Sequence, residues 1–125
     1  MTEEAQRPDP GPAGICHVEI PAPRIDETRR FYSEVFGWTI EPVQGMDYMT
    51  FNAGSLGGGF DPSIPVSDAG VNLVIAVEDI PKKLTEIAKA GGEIMTEKTR
   101  ISEEHGYYGQ FKDPNGNRMG LWSKT

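Results

Sequence analysis

One cysteine, Cys16, leaves no internal disulfide possible, and a cytoplasmic, reducing setting is the expectation. No apolar run approaches the length of a membrane span, so no membrane partner is expected. Positive charge is scarce. The 12 Lys and Arg stand against 19 Asp and Glu, for a net charge of -7. Nucleic acid and anionic membranes both need clustered cations, which argues against either as a partner. The opening stretch MTEEAQRPDPGPAG starts with acids and has no apolar centre, unlike a secretory signal. Residues 1–13 therefore read as a flexible leader.

Glycine and proline, in contrast, are plentiful. Fifteen Gly and ten Pro in 125 residues argue against a helix bundle and for many short elements. The length suits one domain, over residues 14–123.

Two helices stand out. In IDETRRFYSEVFG, Ile25, Thr28, Phe31, Tyr32, Val35 and Phe36 follow the 3, 4, 3, 4 spacing of one buried stripe. Asp26 and Glu27 suit the first turn, and Gly37 is the expected left-handed stop. In DIPKKLTEIAKAGG, Asp79 is the expected N-cap and Pro81 falls in the first turn. Its stripe is Ile80, Leu84, Ile87 and Ala88, and Gly91 and Gly92 end it. Lys82, Lys83, Glu86 and Lys89 form a solvated face.

A strand precedes each helix, about residues 14–20 and then VNLVIAV, and three strand-like segments follow each. These are WTIEPV, YMTFN and SLGGGF, then EIMTE, YYGQFK and NRMGLW. A shift of 55 residues carries Ile20 onto Ile75, Ile25 onto Ile80, Gly37 onto Gly92 and His17 onto Asn72. The fold class is therefore α+β, with two tandem βαβββ modules. Module one runs over about 14–60, the linker over 61–70 and module two over about 71–123.

The turn DPNGN fixes a register. A three-residue loop pairs Asp113 with Asn117, so Phe111 faces Met119, Gln110 faces Gly120 and Tyr108 faces Trp122. Phe111, Met119 and Leu121 then share a dry face that lies under a helix. Tyr108, Gln110, Arg118, Gly120 and Trp122 share the other. By the same alternation Cys16, Val18 and Ile20 face a helix, while Ile15, His17 and Glu19 face away. Leu73, Ile75 and Val77 match the helix side, with Asn72, Val74 and Ala76 opposite. A curved mixed sheet with helices on its outer side and a mixed polar and aromatic inner face has the form of a binding cup.

These features resemble the vicinal oxygen chelate superfamily of glyoxalase I, bleomycin-resistance proteins and extradiol dioxygenases. The paired modules, FYSEVFGW, AGGEI and DPNGNRMGLW carry the likeness over about residues 14–123. It is nearest to the short glyoxalase-like branch ending in DPxGxxxGLW. The resemblance implies four metal ligands, one from each of four strands. His17 matches the first. The second falls at Gly57 or Gly58, the third at Asn72 and the fourth at Gly120. One imidazole of four groups is a poor divalent-ion site. A metal centre of Zn, Ni, Fe or Mn at His17 would need a rearranged site with substitute ligands such as Glu19 or Gln110.

The expected function is therefore binding of a small organic ligand without a complete metal site. His17, Glu19, Asn72, Val74, Tyr108, Gln110, Gly120 and Trp122 are the candidate binding residues, and no catalytic residue is assigned. His17 serves as a ligand contact or proton acceptor. Glu19 either orients His17 or pairs with Arg118. Tyr108 and Trp122 either pack together or form a flat wall. His105 reads as an exposed loop residue and Cys16 as a buried thiol. The alternatives are a metal-dependent lyase, isomerase or dioxygenase built on His17, and a non-catalytic interaction subunit. A homodimer is the expected assembly.

Overall fold

The structure, a computed structural model, describes residues 16–67 and 70–125. The leader and Ile15 lie outside the described residues. The chain divides into two compact units, Met1–Pro65 and Val66–Thr125, and the division falls within the expected linker.

The first unit runs β1 (Val18–Pro21), α1 (Ile25–Phe36), β2 (Thr39–Pro42), β3 (Met49–Ala53) and β4 (Leu56–Asp61). The sheet order is β1-β4-β3-β2, with β1 and β4 parallel and the other pairs antiparallel. Helix α1 carries Asp26 and Glu27 in its first turn and ends at Gly37, whose φ of 69° is left-handed. Its buried residues are Thr28, Phe31, Tyr32 and Val35. The Tyr32 ring lies 5.1 Å from Phe60 of β4 and 4.7 Å from Trp38. Trp38 stacks on Phe51 at 4.9 Å, and Phe51 meets Phe60 at 4.8 Å. Ile20, Ile40 and Met49 complete this core. Burial of these rings anchors the helix on one sheet face.

The second unit repeats the plan with β5 (Leu73–Ala76), α2 (Ile80–Lys89), β6 (Glu93–Ser102), β7 (Gly106–Lys112) and β8 (Arg118–Ser123). Its sheet order is β5-β8-β7-β6. The Asp79 side chain caps α2 by accepting from the Lys82 amide at 3.1 Å. Ile80, Leu84 and Ile87 are buried. Ala88 is exposed, so the apolar stripe is one residue narrower than its spacing suggested. Helix α2 sits over Gly109, where a Cβ would come 3.1 Å from Ile80 and 3.8 Å from Leu84.

The hairpin register is the expected one. Phe111 pairs with Met119, Gln110 with Gly120 and Tyr108 with Trp122. Asp113 holds the turn. Its carboxylate accepts from the Asn115 and Asn117 amides and from the Asn117 side chain, each at 2.9 Å. The 55-residue shift also holds, since it carries Val18–Pro21 onto Leu73–Ala76.

Two boundaries differ from expectation. The first strand starts at Val18, so Cys16 and His17 precede the ladder. Strand β6 is ten residues long and reaches Ser102, with irregular pairing along it. Among the described residues no helix is long and apolar enough to cross a membrane.

Candidate functional site

In the first unit, strand register decides which side chains meet. Gly59 pairs with Glu19 on β1 and with Thr50 on β3, and Thr50 pairs with Glu41 on β2. Partners across a ladder share a face. Glu19, Gly59, Thr50 and Glu41 therefore line the face opposite α1. His17 and Tyr48, each just before its strand, join this face through their contacts with Glu19.

Three of these groups form one hydrogen-bonded cluster. The Tyr48 hydroxyl donates to Glu19 Oε2 at 2.5 Å. The same hydroxyl lies 2.9 Å from His17 Nε2, which is also 3.3 Å from Glu19 Oε2. To reach Glu19 from β3, the Tyr48 ring must cross β4. It does so over Gly59, where any Cβ would overlap the phenol oxygen. Burial pushes the Tyr48 phenol well above its usual range, and the bond to Glu19 and the nearby charges of Glu19 and Asp61 push it further. The phenol thus stays protonated through neutral pH. The sign follows directly: its contribution to stability is intact below the ordinary phenol range and is lost only as pH climbs above it. The His17 and Glu19 side chains are 45% and 41% exposed, so the cluster is open to a solute.

The second unit carries the corresponding positions with different chemistry. Val74 pairs with Gly120, and Gly120 with Gln110, so Val74 corresponds to Glu19, Gly120 to Gly59 and Gln110 to Thr50. Asn72 corresponds to His17 and Tyr108 to Tyr48. A Cβ at Gly120 would lie 3.1 Å from Val74 Cγ2 and 3.3 Å from Asn72 Nδ2. Those two side chains cover the glycine here. Val74 is 57% exposed, and Tyr108 is exposed beside the half-buried Trp122. The Thr96 hydroxyl donates to Gln110 Oε1 at 3.0 Å. The Trp122 indole N–H donates to the His105 carbonyl at 2.7 Å, which ties the β6–β7 loop to β8. The His105 side chain is exposed.

The structure thus brings His17 and Glu19 together and sets Asn72, Val74, Gln110, Gly120, Tyr108 and Trp122 along one face of the second unit. It adds Tyr48, which the sequence reading missed. The signal was present. YMTFN and YGQFK are equivalent strand segments, and both open with Tyr and carry Phe three residues on. Two expectations are corrected. Of the two positions expected for the second ligand, Gly58 points to the helix side, toward the Phe51 ring, while Gly57 shares the face of Gly59, which is the register counterpart of Gly120. Cys16 is exposed, because it precedes the ladder whose alternation would have buried it. Native protein is therefore expected to react stoichiometrically with a maleimide at Cys16, at the rate of denatured protein within about threefold. Labelling that requires denaturant would contradict this placement.

The family model for the glyoxalase/bleomycin resistance protein/dioxygenase superfamily matches residues 14–121. The chain belongs to this superfamily. A glyoxylase-like domain-containing protein of Didymella fabae is 26% identical over 119 residues, covering 88% of this chain and 93% of that protein. Among solved structures, the fosfomycin resistance protein FosX of Listeria monocytogenes is similar in fold. The TM-score is 0.75 at 14% identity, over 91% of this chain and 93% of that one. A mutant of that protein, complexed with Mn(II) and 1S,2S-dihydroxypropylphosphonic acid, superposes at a TM-score of 0.70 with 16% identity, over 91% and 92% of the two chains.

The residues here can be tested against such an ion. Gly59 and Gly120 offer no donor, and Asn72 offers only an amide. In the first unit the phenol of Tyr48 fills the space over Gly59 and engages both His17 and Glu19. Among the described residues no three His, Cys, Asp or Glu side chains are grouped to hold an ion. Protein zinc sites use three or four such ligands, so this donor set does not fit a divalent metal.

Proposed function

We propose that this glyoxalase-like protein binds a small organic molecule on the face of its first module that carries His17, Glu19 and Tyr48, with no resident metal. One observation carries the reading. The Tyr48 hydroxyl lies over Gly59 and bonds to Glu19 and His17, so the groups that would be offered to an ion are spent on one another. What they offer outward is hydrogen bonding to an organic group.

The second module supports the same class of ligand. Tyr108, Trp122 and Val74 present apolar surface, and Asn72 and Gln110 supply polar points. Flat apolar molecules bearing one or two polar groups match that composition.

Thermal unfolding in the presence of EDTA tests the reading against a library of such molecules. A binder should raise Tm in a concentration-dependent way, since a ligand that binds only the folded state stabilises it by mass action. His17→Ala should abolish the rise. If no molecule moves Tm while a divalent ion alone raises it, the reading fails.

A further inference from the structure

We infer that the Tyr48 side chain stands in for the ligand: a neutral phenol displaces it from Gly59 and takes over its bonds to Glu19 and His17. The inference rests on the metal-free reading above and names the ligand class.

The bed under the Tyr48 ring suits a flat group. Gly59 has no side chain, and the hydroxyl end of Tyr48 lies against it, where a Cβ would overlap the phenol oxygen and the ring carbon that bears it. Glu19 and Thr50 flank this glycine on the neighbouring strands. One oxygen atom then meets both polar groups. The Tyr48 hydroxyl donates to Glu19 Oε2 at 2.5 Å and lies 2.9 Å from His17 Nε2. A group that gives and accepts a hydrogen bond through the same atom satisfies both neighbours, and a hydroxyl does so. A carboxylate or an ether brings Glu19 no proton, and an ammonium brings His17 no lone pair.

Charge narrows the class to neutral molecules. Glu19 and Glu41 share the face, and Asp61 acts on the Tyr48 phenol. No Lys or Arg occurs in β1, β2, β3 or β4. Anions are repelled there, while a phenol keeps its proton, as Tyr48 does.

Tyr48 can give way by side-chain rotation alone. Its backbone is pinned at the base of the β2–β3 turn, where the Val43 amide donates to the Tyr48 carbonyl at 3.0 Å. The side chain is half-buried, and its hold is that of an ordinary hydrogen bond, so the closed form outweighs the open one by about fivefold. A ligand that needs the open form loses apparent affinity by about the same factor.

Titration of Tyr48→Ala with phenol, in EDTA near neutral pH, tests this, with the backbone amide of residue 59 as the NMR reporter. Phenol replaces the ring that the substitution removes. The variant should bind it about fivefold more tightly than wild type. Anisole, which lacks the hydroxyl proton, should bind at least about tenfold more weakly than phenol, because a bond to a charged acceptor is lost. Adding Gly59→Ala to Tyr48→Ala should remove phenol binding, since the new Cβ fills the bed. Should Tyr48→Ala not fold, Tyr48→Phe, which keeps the ring and loses its bonds, carries the same comparison with wild type. Phenol binding that is absent or no tighter than in wild type, anisole binding equal to phenol, or binding that survives Gly59→Ala would each overturn the inference. A library molecule that raises the wild-type Tm in EDTA, while Tyr48→Ala ignores phenol, would leave the metal-free reading standing and refute this inference alone.

Discussion

Gly58→Ala is expected to destabilise the first unit by about 3 kcal/mol, while Gly59→Ala, one residue on, leaves it folded and strips the candidate site. The two glycines point to opposite faces. A Cβ at Gly58 would overlap the Val18 carbonyl oxygen and approach Phe51 Cζ to 2.9 Å. Val18 and Gly58 are ladder partners, so the clash is with backbone that cannot turn aside. Strand β1 would have to leave β4, and the pairing that positions Glu19 beside Gly59 would go with it. The atoms nearest a Cβ at Gly59 are all at the far end of Tyr48. That ring can swing out at the loss of its bonds to Glu19 and His17, a cost of about 1 kcal/mol. Urea unfolding of both variants checks the contrast. Equal midpoints would show that β1 and β4 do not pair as described. Gly59→Ala should also lose the ligand-induced rise in Tm, as His17→Ala does.

Phe60→Ala carries the largest expected cost, about 3–5 kcal/mol. Phe60 is wholly buried and stands at the centre of the first core. Its ring meets Tyr32 at 5.1 Å, Phe51 at 4.8 Å and Trp38 at 6.4 Å. Truncation would open a cavity between α1 and the sheet, lined by rigid rings that cannot collapse into it. Domains of this size are stable by only about 5–15 kcal/mol, so a large share would be lost. Trp38 stacks within this cluster and reports on it by fluorescence. A change below about 1 kcal/mol in the urea midpoint analysis would mean that the helix is not anchored through Phe60.

Features governed by short-range chemistry were legible in the sequence. Gly37 and Asp79 end and start their helices because a left-handed residue and a capping carboxylate act within one turn. The Asp113–Asn117 turn set the β7–β8 register for the same reason. The 55-residue shift located β5 and α2 because both modules begin with the same spacing. The start of β1 was not legible, since alternation continues past the last ladder bond, and Cys16 was misplaced as a result. Tyr48 was missed for a different reason. Its contact with Glu19 spans 29 residues and depends on β1 lying beside β4, with a glycine where the ring crosses. That pairing is parallel and non-local, and no turn residue announces it. His17 and Glu19 were found because they are two apart on one chain segment.

The three residues together are the physical basis of the proposed metal-free reading. An imidazole stands just before β1. The position across from Glu19 is glycine, and a tyrosine from β3 reaches into the space this leaves. A carboxylate and an imidazole that would compete for a cation are instead bridged by a phenol that keeps its proton.

The most direct test is elemental analysis of bound metal per chain, on tag-free protein purified without chelator and then incubated with Zn, Ni, Fe or Mn and desalted. Metal far below stoichiometric, unchanged in His17→Ala, is the predicted result. A near-stoichiometric metal that His17→Ala removes would contradict it, and would make His17 the anchor of a rebuilt metal centre.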